Sequence, residues 1–546
     1  LPEIEPRLDT AAGLKDESMI SDLLPSDSAA PSWDVIIVGG ALSGAATACL
    51  LRRRNRDLRV LILERSDHFK RRVGESTVEV SAFFLGRVLG LTEHLLEHHL
   101  PKQGMRFWSM NRPDQPFDEC SEIGPGYNVR LPGFQVDRAV LDEHVLAVAL
   151  AEGAELRRPV RVRGVRLESG GAQTVEWEDA AGAAVTAHAR WVVDASGVAA
   201  LLARQEGWLR PNAAHPTAAC WSRWTGVKSW EDRGVAQKFP AWAARCRGLR
   251  SVATNHLTGY GWWAWWIPLK GGDVSIGVVY DQRITALPPG PNLAARLRAM
   301  LWQHPAAREL MADAVYREQD VHFRANLAYS SSTFATDGSV LVGDAAGFID
   351  PLYSPGMDWI SFTASCAAHL IDRSFRGEAA PPLVAQHNAD FLLCDDHWFR
   401  ALYQDKYYYL GDYELMAIAF RLDLGMYYLG VVQGPFTMGA GALHTPPFTR
   451  AHSELPFRFM ALYNRRLAAI ARCRQRRGVW GRGNARGYFP FTSYEFNHRL
   501  LPRVIGAAAR WLALEVREGW RTWFQPVAAP AGQTAPLTPS GNPAPS

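Results

Sequence analysis

The chain has 546 residues, 47% of them hydrophobic and 21% charged, a composition that fits two to four globular domains around a large buried core. Its net charge of +4 implies no nucleic-acid partner. Seven cysteines with no CxxC pair argue against a zinc site and against a disulfide framework, and point to a reducing, cytoplasmic setting.

Residues 1–32 read as a polar, partly disordered leader without the basic start and apolar core of a secretory signal. The folded part opens with "WDVIIVGGALSGAATACLLRR". Asp34 to Val38 is a short β-branched run suited to a buried parallel strand, followed by a glycine turn and leucines at helical spacing. "RVLILERS" supplies the next strand and closes a βαβ unit. The turn Gly39-Gly40-Ala41-Leu42-Ser43-Gly44 matches the dinucleotide fingerprint G-x-G-x-x-G except at its middle glycine, where Ala41 stands. Such a turn holds a pyrophosphate on the N–H groups of the helix that follows. Glu64 ends the second strand, where a carboxylate binds ribose hydroxyls.

Further on, "RWVVDASG" and "GSVLVGDAAGFIDPLYSPG" each read as a strand, a tight turn and a helix. Residues 211–329 alternate polar and apolar in strand-like runs, among them "GWWAWWIPLKGG", with four tryptophans in five positions. Residues 376–525 read as helical and aromatic, and 526–546, rich in Pro, Ala, Gly and Ser, as disordered. No apolar run reads as a membrane span. The predicted fold class is α/β. A Rossmann-like dinucleotide domain (33–210 and 330–375) carries an inserted mixed or antiparallel β-sheet substrate domain (211–329) and a helical C-terminal region.

The fingerprint, "QVDR" with Arg138, "DASG" with Asp194 and Gly197, and "GDAAGFIDP" with Asp344 together resemble the FAD fold of the hydroxybenzoate-hydroxylase type. Within that fold, Trp263-Ala264-Trp265-Trp266-Ile267-Pro268 matches the W-x-W-x-I-P mark of flavin-dependent halogenases, a resemblance that covers roughly residues 33 to 360. It implies FAD contacts from Gly39, Gly40, Ala41, Ser43, Gly44, Glu64, Arg72, Glu75, Ser76, Arg138, Asp194, Gly197, Asp344, Pro351 and Gly356. It also implies a separate flavin reductase that delivers reduced FAD, and chloride or bromide as co-substrate. Trp263 and Trp265 would then wall the flavin off from the substrate. "VGESTVEV" is similar to the family's G-E-[AS] segment, and Lys102, Arg106 and Phe107 keep its K-x-x-x-R-F spacing, with Pro101 replacing an aromatic residue. Lys102 is then the group that directs hypohalous acid, a task that needs a lysine shielded from bulk water.

One segment departs from the indole-halogenating members, which carry E-P-L-E-S-T-G. Here Asp350-Pro351-Leu352-Tyr353-Ser354-Pro355-Gly356 keeps Ser354 and Gly356 but sets Tyr353 at the second Glu position. Without that carboxylate the ring must stabilise its own cation, so the expected substrate is a phenol or pyrrole, free or tethered to an acyl or peptidyl carrier protein. Pro355 removes an N–H from the region where halide would meet backbone donors. The basic stretch from Arg465 to Arg486 reads as a solvated helix face, or as a dock for an acidic carrier protein. Two rival readings remain: a halogenase-like monooxygenase without halide use, and a non-catalytic flavin-binding scaffold.

Overall fold

The structure, a computed structural model, describes residues 32–129, 131, 133–491 and 500–523. The leader up to residue 31 and the Pro/Ala-rich tail lie outside the described residues. The first sheet is built on the β-branched runs. Strand Ser32–Val38 pairs in parallel with Val60–Leu63 on one side and Ala184–Asp194 on the other, and Ser339–Leu341 extends the parallel set. Val35, Ile36 and Ile37 are fully buried, as is usual where helices cover both faces of a parallel sheet. Helix Leu42–Arg54 packs against Arg138–Ala151 and Gly356–Phe375. All three motif turns, after Val38, Asp194 and Leu341, therefore lie at the carboxyl edge of one parallel sheet, where ligands of open α/β folds bind.

The second sheet has nine strands and is mostly antiparallel, and it gathers them from three parts of the chain. Thr217–Thr225, Val274–Asp281, Trp262–Pro268 and Thr254–Gly259 pair in that order. Met105–Ser109 then adds in parallel, followed by Ser121–Pro125 and Tyr488–Phe491. The boundaries 211–329 thus omit three of its strands, because backbone pairing across long sequence separations leaves no local signature.

Within Trp262–Pro268 the period of two divides the tryptophans. Trp262 and Trp266 enter a core closed by the short helices of residues 233–310, whereas Trp263 and Trp265 face the main core shared with the first sheet.

Among the described residues beyond 375 the regular structure is helical, as predicted, apart from the strand Tyr488–Phe491. The stretch Tyr413–Met438 is long and apolar enough to cross a membrane, with mean hydropathy 1.5, contrary to the expectation that no run is. Two thirds of that window (67%) is buried in the fold, and it carries the inward Asp423. Part of the basic stretch is paired internally. Arg474 is buried against Asp412, Glu414 and Glu518, Arg466 pairs with Glu515, and Arg472 with Asp405.

Candidate active site

The fingerprint turn is tight enough to test residue by residue. Gly39 has φ +106°, and a Cβ there would lie 2.4 Å from the Ala195 carbonyl oxygen. A Cβ on Gly44 would lie 1.9 Å from the Gly39 oxygen, so no side chain fits at either position. Ala41 is extended and hands over to helix Leu42–Arg54, whose first turn carries no acid to compete with an anion. Glu64 is buried, and its two carboxylate oxygens accept the Gly40 and Ser66 N–H groups, each at 2.8 Å. The "GDAAG" turn packs directly onto this helix: a Cβ on Gly343 would lie 3.0 Å from that of Ser43. Asp344 faces the guanidinium groups of Arg138, Arg324 and Arg72, while burial pushes its carboxyl upward. Arg138 is itself held by Asp142 at 2.9 and 3.1 Å.

These glycines, the clear helix N-terminus and the arginine group form a cradle that fits a dinucleotide pyrophosphate. Other expected contacts are engaged elsewhere. Asp194 accepts the Ser196 and Leu202 N–H groups and so ties down its own turn. Glu75 pairs with Arg223 of the second sheet. Ser76 belongs to the lysine: its Oγ accepts from Lys102 Nζ at 2.9 Å and contacts Thr254 Oγ1 at 2.9 Å. Gly197, at φ +63°, and Gly356, the first residue of its helix, both leave open space where a side chain would be. Pro351 is half-buried.

Lys102 stands between strands Leu100–Pro101 and Met105–Ser109 with 4% of its surface exposed. Its ammonium donates to Ser76 Oγ and, at 2.8 Å, to the Thr77 carbonyl, both neutral. Burial draws its pKa down to about 8, against the opposing pull of Glu79 and Asp358. Arg106 is structural, fully buried against Glu122 at 2.6 Å and the Pro125 carbonyl at 2.7 Å. Phe107 stacks on His256, with centroids 4.5 Å apart, and meets the Tyr353 ring edge-on at 5.9 Å.

The two inward tryptophans are fixed by hydrogen bonds. Trp263 Nε1 donates to Tyr407 Oη at 2.9 Å, Tyr407 donates on to Asp350 Oδ2 at 2.9 Å, and His215 Nε2 lies 2.7 Å from the same oxygen. Trp265 Nε1 donates to Ser275 Oγ at 3.2 Å. A buried indole needs such a partner, and Tyr407 comes from the C-terminal region, so that region fixes the Trp263 ring.

Tyr353 and Ser354 both adopt left-handed backbone, φ +70° and +60°, at a cost on the order of 1–3 kcal/mol each. The strained turn aims the Tyr353 hydroxyl at Asp423, 2.9 Å away, where Tyr463 also donates at 2.6 Å and the Lys406 ammonium pairs. Asp358, in the first turn of Gly356–Phe375, accepts the Ser81 N–H at 2.8 Å and the Tyr427 hydroxyl at 2.9 Å, and burial raises its pKa to about 7. Val78, Met105, Tyr353, Asp358, Phe420 and Asp423 line a cavity of about 40 Å³. That space suits one or two waters, so an aromatic substrate requires the helical wall to move.

Asp358, Asp423, Tyr407 and His215 were not singled out by sequence reasoning. The two acids had a signal, since each interrupts an apolar helical run ("GMDWISF", "FRLDLGMYY"), where a buried carboxylate must have a partner.

The model of the tryptophan halogenase family matches residues 34–128 and 121–394. The flavin-dependent halogenase chlA of Dictyostelium discoideum is 28% identical over 62% of this chain, and the aligned part spans 60% of that relative, less than two thirds of its length. The crystal structure of halogenase PltM in complex with phloroglucinol and FAD superposes with a TM-score of 0.69 at 20% identity, covering 90% of this chain and 99% of that one. The flavin-dependent halogenase CmlS gives a TM-score of 0.60 at 20% identity, over 90% of this chain and 78% of that one. With its fingerprint turn, inward tryptophans and buried lysine on one scaffold, the chain belongs to the tryptophan halogenase family.

Proposed function

We propose that this chain is an FAD-dependent halogenase that places chloride or bromide on an electron-rich aromatic ring, a phenol or pyrrole. The observation that carries this reading is Lys102, a buried ammonium held by the neutral oxygens of Ser76 and Thr77. Gly39, Gly40, Gly44, Glu64 and the Arg138–Asp344 side of the cradle would hold FAD. Reduced FAD from a separate reductase would supply, with O₂, the two-electron oxidation of halide to hypohalous acid.

On the far side of Trp263 and Trp265, Lys102 hydrogen-bonds the oxygen of hypohalous acid and polarises the O–X bond. The ring's electron pair forms the C–X bond as O–X breaks, and Lys102 gives its proton to the departing hydroxide, releasing water. Asp358, whose carboxyl already acts on the Lys102 ammonium, takes the ring proton and returns it to the amine. Asp358 acts only on the proton lost after substitution, and the ring's own heteroatom still stabilises the cation. The phloroglucinol bound to PltM supports a phenolic ring.

Arg466, Arg472 and Arg474 are paired internally while Arg465, Arg476, Arg477, Arg482 and Arg486 stay exposed, so the basic stretch leaves both a free and a carrier-bound substrate open. A monooxygenase without halide use remains the second reading, on one observation: Pro355, which has no N–H, caps the helix beside Ser354. The test is to supply reduced FAD, O₂ and bromide with a panel of phenols, pyrroles and tryptophan and to read products by mass spectrometry. Brominated phenol or pyrrole supports the proposal. Hydroxylated products without bromine favour the second reading.

A further inference from the structure

Next to the inner cavity lies a second one of about 360 Å³, within the range of small-molecule sites. Leu424 belongs to both walls, and the Phe420–Phe491 contact, centroids 4.9 Å apart, continues the partition. The two spaces are therefore separated by one layer of apolar side chains.

Arg421 and Arg510 line the outer cavity. Arg421 is half-buried with its guanidinium 3.3 Å from the centroid of Phe489 and one weak bond to the Ala417 carbonyl at 3.4 Å. Burial, and then the like charge of Arg510, pull its pKa down to about 10. No carboxylate salt bridge to Arg421 or Arg510 occurs among the described residues. Two guanidinium groups that repel each other over a cleft, one of them partly desolvated, form a site that gains most from an anion, because partly buried charge is costly unless paired.

The geometry points to this cleft as the seat of an oxyanion, carboxylate or phosphate, carried by the aromatic substrate on a short tether, so that the ring enters the inner cavity while the anion stays on Arg421 and Arg510. The inference rests on the halogenase reading only for the fate of the ring, since the anion site stands on the cleft itself. Leu424 and Phe420 are then the side chains that move apart as the tether passes.

The test is binding by isothermal titration calorimetry to the FAD-supplied protein without O₂, so that no turnover occurs. The probes are 3-(4-hydroxyphenyl)propionate, its primary amide, and the phosphate monoester of 3-(4-hydroxyphenyl)propanol. A charge-assisted pair predicts that at least one anion binds about ten- to a hundred-fold more tightly than the amide. The tighter anion identifies the source, a free aromatic acid or a phosphorylated arm. Arg510→Gln, at an exposed position, and Arg421→Gln should each shrink that preference several-fold, whereas Lys102→Met should keep it. Equal affinity of all three probes, or a preference that survives both arginine substitutions, overturns the inference. In a separate assay with O₂ and bromide, an anion preference without halogenation of any probe would sink the entry of the ring into the inner cavity and leave the cleft standing.

Discussion

Lys102, held by Ser76 and Thr77, and Lys406, among the C-terminal helices, are both buried, with 4% and 0% of their surfaces exposed. Their surroundings differ in kind. Lys406 pairs with Asp423, which also accepts from Tyr353 and Tyr463, so its charge is consumed in holding the strained turn at Tyr353. Lys102 has two neutral oxygens as partners, and carboxyls act on it only from a distance. A buried cation with a direct counterion is an anchor. One without it retains hydrogen-bonding power and a pKa near neutrality for chemistry.

The largest expected effect removes the cofactor while leaving both lysines in place. Gly44→Val forces a side chain into the space of the Gly39 carbonyl and should abolish FAD binding and all activity, as read by flavin retention on purification. Retention at the wild-type level would place the cofactor elsewhere. Asp358→Asn should next slow halogenation by about two to four orders of magnitude, the usual weight of a positioned proton acceptor, with flavin reoxidation unchanged. An undiminished rate would mean that solvent takes the ring proton.

Lys406→Met breaks the comparison on the stability side. It leaves Asp423 buried without its cation and should cost about 3–5 kcal/mol in urea unfolding, whereas Lys102→Met should cost clearly less. Equal costs would mean that both lysines are anchors. The smallest effect is a pH slope. The folded Lys102 titrates at about 8 against its ordinary 10.5, so between those values the unfolded chain binds more protons and stability rises with pH. The gain is complete above about 10.5 and is lost as pH falls through about 8. Urea midpoints compared with Lys102→Met across that window should show the slope only in the wild-type chain.

The parts of this account legible in the sequence are those written in local periodicity. The turn from Gly39 to Gly44 and the alternation that sends Trp263 and Trp265 inward follow from glycine sterics and strand pleat. Lys102 was found by spacing and resemblance, but its neutral partners depend on the fold: Ser76 lies 26 positions away in the chain. Glu75 shows the limit most plainly, since the resemblance assigns it to the cofactor and the structure pairs it with Arg223, 148 positions on. Strands Met105–Ser109 and Ser121–Pro125 joined the second sheet by the same kind of distant pairing. The ion pair of Lys406 and the clamp of Tyr407 on Trp263 likewise depend on how the helices return over the sheet.

The central claim is that Lys102 acts on the oxidised halogen after it forms. The direct measurement is Lys102→Met against the wild-type chain, each given reduced FAD, O₂, bromide and a phenol that the wild type brominates, with brominated product and flavin reoxidation followed together. The account predicts that flavin reoxidation proceeds at nearly the wild-type rate while brominated product disappears. Product formed at the wild-type rate and at the same ring position would contradict it.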